Sequence, residues 1–232
     1  MLERYNRQII LDGIGIEGQK KIKNSSVLLV GVGGLGSVIS LYLTAAGIGR
    51  IGIVDFDVVS ISNLQRQILY KENDVGLSKV LCAKKRLNEL NSEVIIDAYD
   101  AKFDLDNADE LVKKYDIVVD GCDNFATRYL IDVACERCGK PYVFGAIGEF
   151  SGQVSVFDKS GVIRYRDLFS DESFLTEKNR QVSGVFGVLP GIIGNIEANE
   201  VLKIITGVGD TLSNRLFSIN LLTMETNTFD LQ

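Results

Sequence analysis

The sequence predicts an α/β fold, a doubly wound and mainly parallel sheet with a C-terminal antiparallel extension. Three observations carry this expectation. Short apolar runs at residues 27–30, 50–55, 93–99, 117–120 and 142–145 alternate with helical patterns, the rhythm of strand–helix–strand units that pack helices on both faces of a parallel sheet. The first run leads straight into Gly31-Val32-Gly33-Gly34-Leu35-Gly36. About twenty residues further on, a second run ends in Asp55, the spacing of a Rossmann-like nucleotide-binding βαβ unit. After Gly148 the rhythm changes. Residues 153–157 and 162–165 alternate as an antiparallel pair, and 215–222 with 226–231 read as a closing hairpin.

Each element has its own justification. Residues 7–23 form a helical lead-in, where Ile9, Ile10, Ile14 and Ile16 are interrupted by Gly13 and Gly15. The helix at 36–46 is closed by Gly47 and Gly49. Gly76-Leu77-Ser78-Lys79 opens a helix in which Val80, Ala83, Leu87 and Leu90 recur at helical spacing. A helix at 108–114 precedes the almost wholly apolar strand at 117–120, and the helix at 124–138 stops at Gly139. Residues 167–181 are polar and poorly patterned, and 187–205 is helical with Pro190 near its start. Without internal repeats or low-complexity linkers, one domain over 1–232 is expected. Residues 24–148 form its nucleotide-binding part.

Composition excludes several classes. The 232 residues are 46% apolar and 24% charged, enough for an ordinary core. A net charge of −6 argues against a nucleic acid partner, which would need a basic face. No apolar run is long enough to predict a membrane span, and the polar residues 1–7 lack a signal-peptide core. Four cysteines in this length make no disulfide scaffold, so a cytoplasmic setting is expected. The chain has no histidine, which excludes Ser-His-Asp triads, Cys-His pairs and histidine metal sites.

The charged positions suggest a nucleotide. Asp55 at a strand end can accept both ribose hydroxyls, equally those of NAD, FAD or ATP; a simple turn aspartate is the alternative. The glycine loop has its own alternative, tight strand–helix packing that binds nothing. Arg66 and Lys79 lie beyond the second strand, where two cations suit a triphosphate, with Asn63 and Gln65 as neutral donors. Each cation alone reads equally as a solvated surface charge. Asp123, after the fourth strand, suits a Mg²⁺ anchor beside phosphates or an N-cap for the following helix.

Taken together, these positions resemble the ThiF/MoeB/HesA family, relatives of the adenylation domain of ubiquitin-activating enzymes. The resemblance runs through Arg4-Tyr5-Asn6-Arg7-Gln8, Gly31 to Gly36, Asp55-Phe56-Asp57, Ser62 to Gln67 and Gly76 to Lys79. It continues through Asp123-Asn124, Gly145-Ala146, Gly152-Gln153-Val154 and Gly187 to Gly194. It implies an ATP-dependent adenylyltransferase that activates the C-terminal Gly-Gly carboxylate of a ubiquitin-like sulfur carrier protein, for thiamine or molybdopterin biosynthesis. By the same resemblance Gly31, Gly33, Gly34, Gly36, Asp55, Asp57 and Asn124 line the nucleotide. Asn63, Gln65, Arg66 and Lys79 attend its phosphates, Asp123 holds Mg²⁺, and Arg7 reaches into the partner's site of a homodimer. Residues 149–232 would form the carrier-binding and crossover part.

Two departures qualify the resemblance. Where relatives carry the first of two Cys-x-x-Cys zinc pairs this chain reads Arg164-Tyr165-Arg166-Asp167, and Cys135-x-x-Cys138 falls inside a predicted helix, so zinc is not expected. Arg180, Gln181 and Val182 stand where ThiF-like members have a crossover cysteine, so sulfur is expected from a separate persulfide donor. The short length and missing zinc cysteines lean towards the thiamine branch. Competing readings are adenylation of a peptide or tRNA, an NAD-dependent oxidoreductase, and a non-catalytic binding scaffold.

Overall fold

A computed structural model describes residues 2–161, 163–170 and 184–231; Val162, Arg180, Gln181 and Val182 lie outside the described residues. The chain opens with α1 (Leu2–Ile9) and α2 (Gly15–Lys23), then β1 (Ser26–Val30), α3 (Gly34–Ala46) and β2 (Arg50–Asp55). It continues with α4 (Lys79–Leu90), β3 (Ile95–Asp100), α5 (Ala108–Lys113), β4 (Ile117–Asp120) and α6 (Phe125–Cys138). The last elements are β5 (Tyr142–Gly148), β6 (Ser151–Phe157), α7 (Tyr165–Leu168), α8 (Leu189–Thr206), β7 (Arg215–Asn220) and β8 (Glu225–Asp230).

These strands make one sheet of order β3-β2-β1-β4-β5-β6-β7-β8. Pairing is parallel from β3 to β5 and antiparallel from β5 to β8, the expected doubly wound sheet with its antiparallel extension. Alternate residues of each parallel strand serve opposite faces. Val27 and Leu29 join Ile51, Ile53 and Val119 under α3, α4 and α8. Leu28 and Val30 join Val118, Tyr142 and Phe144 under α5, α6 and α7. Strand order reverses between β1 and β4, and there the carboxyl ends of the strands open a crevice.

Local chemistry sets the helix ends. Gly47, at φ +82°, ends α3, and the Tyr5 ring occupies the space where its side chain would be. Asn124 caps α6, its Oδ1 accepting from Thr127 N at 2.9 Å, and Gly139 ends the helix at φ +65°. The cap is therefore Asn124, not Asp123. Two expectations need correction. Residues 163–165 form no strand beside β6, because β5 and β7 already occupy its two edges, and Tyr165–Leu168 is the short helix α7. That helix docks on α6 through Arg166 and Asp132 at 3.3 Å, with the Tyr165 ring buried among aromatic neighbours. The lead-in helix begins at Leu2 rather than residue 7, because Tyr5 anchors it through a 2.8 Å bond donated by Asn91.

Two constraints hold the centre of the sheet. Gly31, Gly36 and Gly121 meet backbone to backbone. A Cβ at Gly36 or Gly121 would overlap Gly31 O, and one at Gly31, where φ is +92°, would lie 2.6 Å from Gly121 O. Deeper, Asp120 and Arg128 form a buried ion pair at 2.9 Å, and Tyr142 OH donates to the same carboxylate oxygen at 3.1 Å. Glu197, from α8, reaches the same region from the opposite face, its carboxyl filling the space above Gly145. Both Glu197 oxygens are buried with no hydrogen-bond partner among the described residues. Burial pushes this carboxyl well above the usual range, Asp120 adding to the shift and Arg128 opposing it.

Gly36→Ala is expected to destabilise the fold by about 3 kcal/mol, because the new methyl meets backbone rather than a movable side chain. An unchanged urea midpoint would remove this contact from the argument. Glu197 gives a pH signature. Its folded carboxyl keeps a proton that the unfolded chain has lost, so its contribution to stability falls as pH rises above the ordinary glutamate range. Glu197→Gln should gain on wild type by about 1.4 kcal/mol for each pH unit in that window, read by urea unfolding between pH 5 and pH 8. Parallel stability curves would mean that Glu197 is not held protonated.

Candidate functional site

The crevice is built on the ends of β1, β2 and β4. The turn Gly31–Gly36 brings the N-terminus of α3 to the sheet edge, and its cap residue Gly33 makes no side-chain bond to the first-turn N–H groups. Such a helix start favours an anion. Pro190, at the start of α8, packs over Gly34, where a Cβ would lie 3.1 Å from its ring. The first turns of α3 and α8 therefore lie side by side.

Asp55 closes the end of β2 onto this turn. Its two carboxylate oxygens accept Val32 N and Asp57 N, each at 2.9 Å. Burial raises its pKa while those two bonds lower it. A carboxylate offers about four acceptor directions, so the turn-holding role leaves room for ribose hydroxyls. Asp57, two residues on, accepts from Lys79 Nζ at 2.9 Å. Lys79 itself is buried at the start of α4, and its backbone N–H donates to Asp57 O at 3.0 Å. The β2 end and the α4 start are thereby fastened together, and the Lys79 ammonium is held near Asp55.

The segment between them carries the other cation. Asn63 Oδ1 accepts Ser60 N at 3.0 Å and shapes a short helical turn over Ile61–Asn63. Arg66 is half-exposed, its Cγ lies near Gly34, and its guanidinium donates to Ser62 O at 3.1 Å. Gln65 is exposed, and both its carbonyl oxygen and its Oε1 come close to Gly187 ahead of α8. Asp123 is exposed beyond β4, next to the cap residue Asn124. Gly31, Gly33, Gly34, Gly36, Asp55, Asp57, Asn63, Gln65, Arg66, Lys79, Asp123 and Asn124 thus gather on one edge of the sheet or on the segment that covers it.

Arg7 does not join them within one chain. It lies on α1, whose Tyr5 and Gln8 meet Gly47 and Ala46 at the far end of α3. That helix has 13 residues, so Arg7 stands about 20 Å along its axis from the glycine turn.

Other participants were given no role by the sequence reading. Gln67, the last residue of the Ser62–Gln67 motif, is buried beside Gly33, with Oε1 lacking a partner among the described residues. Tyr70 OH donates to Val32 O at 2.7 Å and holds the underside of the turn. Arg128 and Asp120 anchor the loop that carries Asp123. A charge at the end of an apolar strand, as at Asp120, is the one clue that a buried cation had to be found for it.

The donor chemistry separates two metals. No three His, Cys, Asp or Glu side chains gather as a metal group among the described residues. Asp123 offers one carboxylate, and one carboxylate shared with phosphate oxygens and water suits Mg²⁺ carried on a nucleotide. Zinc does not fit the cysteines. Cys82 lies on α4, Cys135 is buried inside α6, and the thiols of Cys122 and Cys138 donate to Asn124 O and Asp109 O.

Comparison with known proteins gives the family and the fold. Residues 5–232 match the ThiF family. The chain is 46% identical to the sulfur carrier protein adenylyltransferase of Thermus thermophilus, over 93% of this chain and 82% of that protein. It is 45% identical to a probable molybdopterin-synthase adenylyltransferase of Porphyra purpurea, over 97% of this chain and 60% of that protein. It is 42% identical to the probable adenylyltransferase/sulfurtransferase MoeZ of Mycobacterium tuberculosis, over 99% of this chain and again 60% of the relative. The chain thus spans about 60% of the length of two of these three proteins. Among solved structures, E. coli MccB bound to MccA-N7isoASN superposes with a TM-score of 0.89 at 23% identity, covering 100% of this chain and 72% of that one. PaaA superposes with a TM-score of 0.84 at 26% identity, covering 99% and 73%. No helix among the described residues is long and apolar enough to cross a membrane. A matched family over almost the whole chain, a relative at 46% identity covered for four fifths of its length, and a shared fold lead to one conclusion: the chain belongs to the ThiF family.

Proposed function

We propose that this protein is an adenylyltransferase that uses Mg²⁺·ATP to activate the C-terminal Gly-Gly carboxylate of a ubiquitin-like sulfur carrier protein as an acyl-adenylate, for thiamine or molybdopterin biosynthesis. The observation that carries the reading is Lys79, an ammonium buried beside Asp57 and Asp55 at the edge where the α3 N-terminus is left without a side-chain cap. The name of the Thermus relative supports the choice of a sulfur carrier as substrate.

The chemistry asks little of proton transfer. A carrier carboxylate is ionised at neutral pH, so its oxygen forms a bond to the α-phosphorus directly while the bond to the pyrophosphate oxygen breaks. What the protein supplies is alignment and a cationic surround for the charge that grows on the leaving pyrophosphate. Lys79 and Arg66 supply the cations, Asn63 and Gln65 the neutral donors, and the glycine turn allows backbone approach. In this reading Asp55 and Asp57 hold the nucleoside, and Asn124, the cap of α6, lines it from the β4 side. Mg²⁺ bound to the nucleotide would neutralise phosphate charge, and Asp123 is the residue to hold it. A chain without histidine can run this reaction.

The unit is a homodimer in this reading, with Arg7 of one protomer completing the site of the other, because Arg7 stands at the wrong end of α3 to serve its own. A persulfide protein delivers sulfur to the adenylate, since residues 180–182 offer no cysteine. The setting is the cytoplasm, where the four free thiols remain reduced.

Exchange of labelled pyrophosphate into ATP should appear only when a carrier ending in Gly-Gly is added. Exchange without a carrier, or none with any carrier, would refute the proposal. Lys79→Ala, Arg66→Ala and Asp123→Ala should each lower exchange at least about a hundredfold without loss of fold. Mixing Arg7→Ala with Arg66→Ala subunits should restore exchange that neither shows alone. Continued inactivity of the mixture would rule out a contribution from the partner's Arg7.

A further inference from the structure

The ladder between β4 and β5 is short. Only Val118 and Val119 pair, with Tyr142 and Val143, and beyond them the two strands part. Arg128 fills the split. Its Nε donates to Asp120 Oδ2 at 2.9 Å, while Nη2 donates to Cys122 O at 3.1 Å and to Gly145 O at 3.4 Å. The second oxygen of Asp120 accepts Cys122 N at 2.9 Å. Cys122 is thus held at both its backbone donor and its backbone acceptor, and Asn124 is held as the α6 cap. Asp123 is the one residue between these two fixed points. The rings of Phe125 and Phe144 flank the guanidinium, each centroid 5.6 Å from its carbon, so the fork has no freedom to turn away.

A buried ion pair adds little net stability over apolar groups of similar size. What a guanidinium adds is a rigid set of donors at fixed angles, which an ammonium lacks. We propose that Arg128, fixed by Asp120 across the β4–β5 split, is a positioning residue that sets the Asp123 carboxylate for the divalent ion carried by the nucleotide. This rests on the nucleotide reading above. Arg128 touches no reacting atom. It acts through the peptide groups of Cys122.

The test uses Mn²⁺ as the divalent probe and the ATP analogue with a methylene between its α- and β-phosphorus, with Mn²⁺ capture read by electron paramagnetic resonance. Arg128→Lys keeps the charge opposite Asp120 and loses the fork. It should capture Mn²⁺ roughly tenfold more weakly than wild type, the usual effect of removing a group that orients a metal ligand. Its affinity for the analogue in EDTA should stay unchanged. In an Asp123→Asn background the same substitution should cost nothing further, because Arg128 acts only through Asp123. If the Lys variant does not fold, the double substitution Asp120→Leu with Arg128→Met removes the clamp without leaving a buried unpaired charge, and the same loss is expected. Wild-type Mn²⁺ affinity in the folded variant, or an equal loss in the Asp123→Asn background, would overturn the inference alone. Failure of the wild-type protein to bind the analogue would instead overturn the nucleotide reading and the inference with it.

Discussion

The site depends on a place where backbone touches backbone. Gly31 follows β1, Gly36 lies in the first turn of α3, and Gly121 follows β4; the three approach so closely that no Cβ fits at any of them. Because these side chains are missing, the start of α3 and the β4–α6 loop reach the same spot. From there the first-turn N–H groups of α3, the Asp55 carboxylate and the loop bearing Asp123 all face one crevice. Were the contact looser by one methyl, the helix start and the loop would be forced apart, and the charged groups could not act on a single ligand.

Charge is arranged around that contact in two layers. The outer layer is partly exposed and already paired in ways a polyanion can compete with: Lys79 with Asp57, and Arg66 with the Ser62 carbonyl. The inner layer is buried and closed, with Asp120, Arg128 and Tyr142 bonded together. The outer pairs suit a group that must shift on binding, since the Asp57 side chain remains half in water. The inner cluster suits one that must not move. Glu197 stands against this inner layer as a carboxyl without a partner among the described residues, which is tolerable in the core only in its neutral form.

Much of the fold was readable because its parallel half obeys simple rules. The strands at β1, β2 and β4 are apolar on both faces, and Gly47 and Gly139 mark helix ends that need a left-handed backbone. The edge residues were readable for a similar reason: a glycine turn and an acidic strand end have fixed spacing. Residues 163–165 misled because alternation says nothing about whether a neighbouring strand has an edge left to pair. Arg128 was silent because its partner sits eight residues back on a different element, outside any period of helix or strand. Glu197 has no motif or spacing that sets it apart on α8, and only the missing side chain of Gly145 reveals where it points. The place of Arg7, at the far end of α3, depends on how α1 docks through Tyr5, which no local pattern encodes.

The most direct measurement is a crystal structure with the methylene ATP analogue and Mg²⁺. The triphosphate should lie over the Gly31–Gly36 turn, with Lys79 Nζ and the Arg66 guanidinium in hydrogen-bond distance of its oxygens and the ribose against Asp55. A nucleotide bound elsewhere, or bound here with Lys79 still on Asp57 and Arg66 directed into solvent, would contradict it.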